Sequence, residues 1–239
     1  MQSLPSETIL WLWDSIAGFS HPGKAVGILH AAGLGSTDDI YKWHLGYRDS
    51  ELLRLRMETF GKDISCIDSC PECNETVEMD VHIPDLLSQA SQSSESPSDG
   101  HFSVSYQDLQ FNVRKPTSLD IENLLSQSRD NRSRHEFILQ CVENSELSFS
   151  KRAVNKIEQE MEKNDPLADI RFLIKCPKCH NEWNALFDIV SVFWHELVTE
   201  AQKMLSDIHI IASAYHWSET DILSLSPQRR SYYLGCISE

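Results

Sequence analysis

The sequence predicts an α+β fold, with helical N- and C-terminal parts around a small cysteine-anchored β subdomain that carries a hairpin and a helical insertion. Three observations predict it. Apolar residues recur at helical spacing over residues 6–60 and again from about Ser191 to Tyr215. Apolar and polar residues alternate after Cys70, after Cys176 and across residues 102–113, which is the period of a strand. Two Cys-Pro-X-Cys segments, at Cys70 and Cys176, each open one of those alternating runs. The chain accordingly divides into a helical region 1–65, a β region 66–190 with an inserted hairpin and helices, and a helical region 191–239.

The elements follow in order. Ser6 stands where a helix cap belongs, ahead of Ile9, Leu10, Leu12 and Trp13. Pro22 suits the first turn of a second helix that ends at Gly33 or Gly35. Arg48 to Phe60 places Leu52, Leu53, Leu55 and Arg56 at helical spacing, and Gly61 closes that helix. Val77, Met79, Val81 and Ile83 alternate as a strand. Residues 88–101 are Ser-rich without an apolar pattern and read as a flexible loop. Phe102, Val104 and Tyr106, a turn near Gln107–Asp108, and Leu109, Phe111 and Val113 make a hairpin. Residues 117–163 return to helix, as two helices. After the second strand texture, Cys176 to Ile189, comes the long helix with an apolar stripe. Ser218 with Asp221 three positions on can cap a short helix, and Ser226–Pro227 can open the last.

Bulk properties narrow the function. Hydrophobic residues make up 41% of the 239, enough for a real core, and the formal net charge is −15. A surface that tracks phosphates needs a basic stripe, so general binding to nucleic acid or to an anionic membrane is disfavoured. No basic region precedes the first apolar run, which Asp14 interrupts, and no stretch approaches the ~18 apolar residues of a spanning helix. The expected compartment is the reducing cytoplasm. There an odd count of seven cysteines, four of them in two Cys-Pro-X-Cys pairs, points to metal rather than disulfides.

The two pairs form a weak internal repeat, CPECNETVEMDVHI from Cys70 and CPKCHNEWNALFDI from Cys176. In each, a tight turn with two intervening residues lets both thiolates reach one ion. Zinc takes four ligands in a tetrahedron, so two such knuckles complete a closed site from Cys70, Cys73, Cys176 and Cys179. One structural zinc in a zinc-ribbon-like subdomain is the expected cofactor. About a hundred residues separate the knuckles, where a common ribbon has ~15–20. Two unrelated reduced pairs, or a redox Cys-X-X-Cys, are the other readings of the motif, although the redox motif opens a helix and here strands follow. His180, directly after Cys179, is either a competing ligand or a solvent-facing residue of the knuckle. Cys66, Cys141 and Cys236 lack partner spacing and read as small, mostly buried hydrophobes.

Catalytic constellations fail one by one. His195–Glu196 begins HELVTE, not the zinc-protease pattern, and no nucleophile elbow, P-loop or dinucleotide fingerprint occurs. Four thiolates leave zinc no open position for catalysis. His209 and His216 are expected to be structural. An enzymatic function and a small-molecule substrate are not expected. The C-terminal stretch DIHIIASAYHWSETDILSLSPQRRSYYLGCI is rich in aromatic residues and arginine, the usual anchors of protein interfaces. A partner-binding surface is expected around Tyr215, Trp217, Arg229, Arg230, Tyr232 and Tyr233, beside the plainer reading of a helical core.

The segments ILWLWDSIAGFSHPGKAVGILHAA and LGYRDSELLRLRMETFG, the two knuckles, and the ending AYHWSETDILSLSPQRRSYYL occur in this order. With them the chain resembles the baseplate (hub) assembly proteins of T-even phages and of contractile injection systems. The resemblance covers nearly the whole chain outside 88–101. It implies an assembly factor or chaperone for the baseplate of a contractile, tail-like particle, with baseplate or hub proteins as partners. It carries over the four cysteines as zinc ligands, and Tyr215, Trp217, Arg229 and Arg230 as a functional surface. A permanent baseplate component is the nearest alternative, and a zinc-ribbon nucleic-acid regulator is the alternative from another class.

Overall fold

A computed structural model describes residues 2–90, 97, 100–107, 109–127, 134–143 and 150–237. Four helices open the chain: α1 (Ser6–Ile16), α2 (His21–Ala31), α3 (Thr37–Ile40) and α4 (Leu45–Phe60). Pro5, not Ser6, occupies the cap of α1, because its extended backbone already presents its carbonyl to the Ile9 N–H. Ser6 is the first helical residue. Ser20 caps α2 through the Gly23 N–H, and Gly61 ends α4 with a φ of 100°, a region open to glycine.

The next stretch brings β1 (Asp63–Ser69), β2 (Thr76–His82) and α5 (Ile83–Ala90). Ile83 therefore starts a helix rather than ending the strand. The predicted loop 88–101 shrinks at both ends, to α5 on one side and to β3 (His101–Tyr106) on the other. Its residues 91–96 and 98–99 lie outside the described residues. β3 pairs with β4 (Leu109–Arg114) as the expected hairpin, with Phe102 opposite Val113 and Tyr106 opposite Leu109. Among the described residues three helices, not two, follow: α6 (Ser118–Ser126), α7 (Arg134–Gln140) and α8 (Lys151–Asn164). Then come β5 (Ile170–Lys175), β6 (Glu182–Phe187), α9 (Ile189–Tyr215), α10 (Glu219–Leu223) and α11 (Pro227–Ile237).

The 27-residue α9 is the spine, about 40 Å long at 1.5 Å per residue. α1, α2, α4, α10 and α11 pack against it. Their shared core holds Leu12, Ile28, Leu52, Leu55, Phe193 and Ile211, all nearly or fully excluded from water. The chain between the knuckles builds a second, smaller core of its own. There Val104, Phe111 and Val113 of the β3–β4 hairpin meet Ile138 of α7 and Val154 and Ile157 of α8. Polar ties join the two. Thr117 caps α6 in a capping box with Asp120, and α6 lies on α2, where Ser20 Oγ donates to Glu122. The buried Asp165 carboxylate accepts the Gly46 N–H at 3.1 Å and faces His44 Nδ1 at 3.2 Å, at the start of α4.

Candidate metal centre

Each Cys-Pro-X-Cys segment is the tip of an antiparallel hairpin. β1 and β2 carry the first, with Ser69 opposite Thr76, and β5 and β6 the second, with Lys175 opposite Glu182. The strand before each knuckle was not anticipated from the sequence. The two tips are closed by the same backbone bonds. Cys70 N–H donates to Glu75 O and Asn74 N–H to Cys70 O; Cys176 N–H donates to Asn181 O and His180 N–H to Cys176 O, all at 2.9–3.0 Å. Asn74 and His180 hold the same place with φ of 55° and 60°. This left-handed conformation is several-fold enriched in Asn and His among non-glycine residues. His180 is thus the exposed turn residue of its knuckle, and its backbone role matches that of Asn74.

The tips meet sulfur to sulfur. Cys70 Sγ lies 3.5 Å from Cys179 Sγ, and Cys73 Sγ lies 3.6 Å from Cys176 Sγ. All four ligand atoms fall within 4.8 Å of one another. A disulfide would need ~2.05 Å, whereas a tetrahedron with ~2.3 Å bonds to sulfur has edges of ~3.8 Å. The four cysteines could therefore hold one metal ion between them. Cys70 and Cys176 are buried, Cys73 is half-buried and Cys179 is exposed.

Backbone N–H groups of Cys179 and Lys178 outweigh desolvation and hold the Cys176 thiol down to about 6. The Asn181 N–H pulls the same way on Cys179, yet desolvation and the three neighbouring sulfurs push that thiol up to about 12. A divalent cation held between the sulfurs would favour the thiolate form of its ligands.

Side chains reinforce the junction. Trp183 Nε1 of β6 donates to Asp68 Oδ2 of β1 at 2.9 Å, and Lys178 Nζ pairs with Glu75 at 2.9 Å, so both ties run from one hairpin to the other. At the root of the first hairpin the buried Arg56 of α4 donates to Gly61 O and Asp63 O at 2.8 Å, and its Nε donates to Glu196 of α9 at 2.9 Å. Glu196 of the HELVTE segment is engaged in this way, while His195 is exposed. The pairs Asp68–Trp183, Arg56–Glu196 and Asp165 with His44 and Gly46 each join residues more than a hundred positions apart, and periodicity and spacing carry no signal for them.

Of the remaining cysteines, Cys141 is buried and its thiol is pushed up to about 11 by burial, as for a small hydrophobe. Cys66 is half-buried, and Cys236 is exposed, contrary to expectation.

The C-terminal residues separate into two groups. Tyr215 stacks on Trp217 at 5.1 Å, and Tyr233 meets both rings edge-on at 5.5 and 4.9 Å. These three half-buried rings border the main core. Tyr232, 70% exposed, and Arg229 face outward. Arg230 does not. It is 6% exposed, its Nη2 donates to Ser6 Oγ at 3.2 Å, and its Nη1 has no hydrogen-bond partner among the described residues. The helical period of α11 turns adjacent arginines about 100° apart, so one of the pair points at α1. His209 is exposed, and His216 ends α9 in a left-handed conformation.

No helix among the described residues is long and apolar enough to cross a membrane. Residues 36–194 match the model of a family described as T4 bacteriophage base plate protein. The match spans 159 residues (194 − 36 + 1), two thirds of the 239, and includes both knuckles. No curated protein and no solved structure matches the chain.

Proposed function

The chain belongs to the T4 bacteriophage base plate protein family, and from that premise we propose that it is a non-enzymatic assembly factor for the baseplate of a contractile, tail-like particle, held in shape by one structural zinc. The observation that carries the zinc is the cluster of four cysteine sulfurs within 4.8 Å, drawn from hairpins more than a hundred residues apart. Thiolates select a soft or borderline ion, and a tetrahedral set of four is characteristic of structural zinc. Such a site is closed, which supports a scaffolding role for the metal. Tyr232 and Arg229, outward beside the Tyr215–Trp217–Tyr233 stack, supply an aromatic and cationic docking surface for another baseplate protein.

Two measurements test this reading. Metal analysis of the purified protein should return about one zinc per chain, and a metal-free, fully folded protein would refute the zinc. Quantitative mass spectrometry of assembly intermediates and of finished sheathed particles should find the chain in the intermediates and not in the particles. Stoichiometric retention in finished particles would make it a permanent component instead.

A further inference from the structure

Beside the metal centre, and not used by it, runs a groove of about 710 Å³. One wall is the run Ser65–Asp68 of β1, the other is Ala185–Phe187 of β6, and Met79 and Val192 add to the lining. Successive strand side chains point to opposite faces. A wall made of consecutive strand residues therefore includes the edge of the strand, and Met79, opposite Cys66 on β2, carries the lining onto the adjoining face. β1 pairs with β2 and β6 pairs with β5, each in a sheet of two strands. At alternate residues, Ser65 and Ile67 of one wall and Leu186 of the other, the backbone N–H and C=O groups thus point away from the paired strand and have no further sheet partner among the described residues, while Arg56 covers the Asp63 carbonyl and Asp68 Oδ1 the Ser69 N–H at the two ends of the β1 edge.

Edges of this kind are usually protected by Lys, Pro or a bulge. Neither DISCIDS of β1 nor EWNALF of β6 contains Lys or Pro, and the charges they do carry, Asp63, Asp68 and Glu182, are engaged by His82, Trp183 and Lys175. Instead Ile67 and Leu186 flank the groove at 69% and 61% exposure. The two groove carboxylates are already engaged, Asp68 by Trp183 and Glu196 by Arg56. What the groove offers is hydrogen-bonding backbone and apolar surface, the recognition chemistry of an added strand, with the exposed Ser191 and His195 of α9 also in its lining. A net charge of −15 opposes association of two copies of this chain and favours a partner of opposite charge.

We propose that this groove receives an extended segment of another, net-positive baseplate subunit, which adds to the β1 edge as a third strand and sets alternate apolar side chains against Ile67 and Leu186. The inference rests on the baseplate reading above, and names where and how the partner binds. A two-stranded hairpin is marginal alone, so the same contact steadies the hairpin that carries Cys70 and Cys73.

The test co-expresses the full-length chain with each other subunit of its baseplate and follows backbone amide exchange by mass spectrometry, with and without the partner. Amides of Ser65 and Ile67, which face the open edge of β1, should slow by at least about tenfold in the complex. Ile67→Lys and Leu186→Lys, both at exposed positions, should keep the circular dichroism and metal content of the parent and weaken the complex by about tenfold or more. A complex whose protection falls only on residues 215–233, folded lysine variants that bind like the parent, or slowing that appears in the isolated chain as its concentration rises would each overturn the inference while leaving the baseplate role intact. Absence of a complex with every baseplate subunit would remove both. The exchange measurement uses the unaltered chain, so it decides the matter even if a lysine variant does not fold.

Discussion

Gly46→Ala is a small change with a large expected cost. A β-carbon built at Gly46 would lie 1.9 Å from Asp165 Oδ1 and 2.7 Å from its Cγ. No contact that close is tolerated, and the obstacle is a carboxylate fixed by the Gly46 N–H and by His44, not the free end of a flexible chain. Admitting the methyl group means displacing Asp165 by more than 1 Å, roughly the gap between 1.9 Å and ordinary contact. Overpacking of this kind costs about 1–3 kcal/mol. Weakening a buried hydrogen bond to a charged group costs about 1.5–3 kcal/mol more. Alanine returns at most about 1 kcal/mol through its better helix propensity. The net expectation is a loss of about 2–5 kcal/mol, or a fall in Tm of about 5–15 °C for a chain of this size. Thermal denaturation by circular dichroism measures it. The decisive comparison is a double-mutant cycle with Asp165→Ala. With the carboxylate gone, adding Gly46→Ala should cost nothing or stabilise by up to about 1 kcal/mol. If Gly46→Ala is as harmful in that background as in the parent, the steric account is wrong.

Cys70→Ser and Cys176→Ser should be comparably damaging, with bound zinc lost in both and chelation of the parent reproducing the change in circular dichroism, because binding at a structural site is folding energy; one variant retaining the metal would show that the knuckles do not share it. Burial pushes the Asp49 carboxyl up to about 6 against the attraction of Arg48. The folded chain then binds this proton more tightly than the unfolded one, so the group adds stability as pH falls from about 6 to about 4. Asp49→Asn should remove that component, read as the difference between the pH slopes of the two denaturation midpoints, and parallel slopes would refute it. Arg230→Ala should lower Tm measurably, whereas Arg229→Ala with Tyr232→Ala should leave it within about 2 °C and cut the count of sheathed particles by electron microscopy; normal particle numbers would dismiss the C-terminal surface.

The parts of this chain that were legible in its sequence are those whose cause is local. The β3–β4 hairpin shows itself in the alternation of Phe102, Val104, Phe111 and Val113, and Ser218 with Asp221 shows a capping box. The knuckles were legible because tight turns between thiolates are written in adjacent residues. β1 was hidden because Asp68 occupies an inward-facing position, where its charge is answered by Trp183 from the other hairpin. β5 was masked by the exposed Leu173, which fills the polar place between Phe172 and Ile174. Arg230 was misplaced for a related reason: an Arg-Arg pair on a helix carries no local mark of which member faces α1. The groove between β1 and β6 arises from tertiary placement, so nothing in either strand announces it.

The distance in sequence between the two hairpin tips bears on how the molecule is made. At ~5–20 residues per second, synthesis of the roughly hundred residues from Cys73 to Cys176 takes on the order of 5–20 s. During that interval the nascent chain presents half a coordination shell, two thiols on one hairpin. The intervening segment has its own small core, so it can condense before the second tip arrives and shorten the span left to close. Closure of the ring waits for Cys179. A metal held by all four sulfurs would therefore be captured only after translation has passed that codon, and a product truncated within the insertion lacks the four-sulfur set.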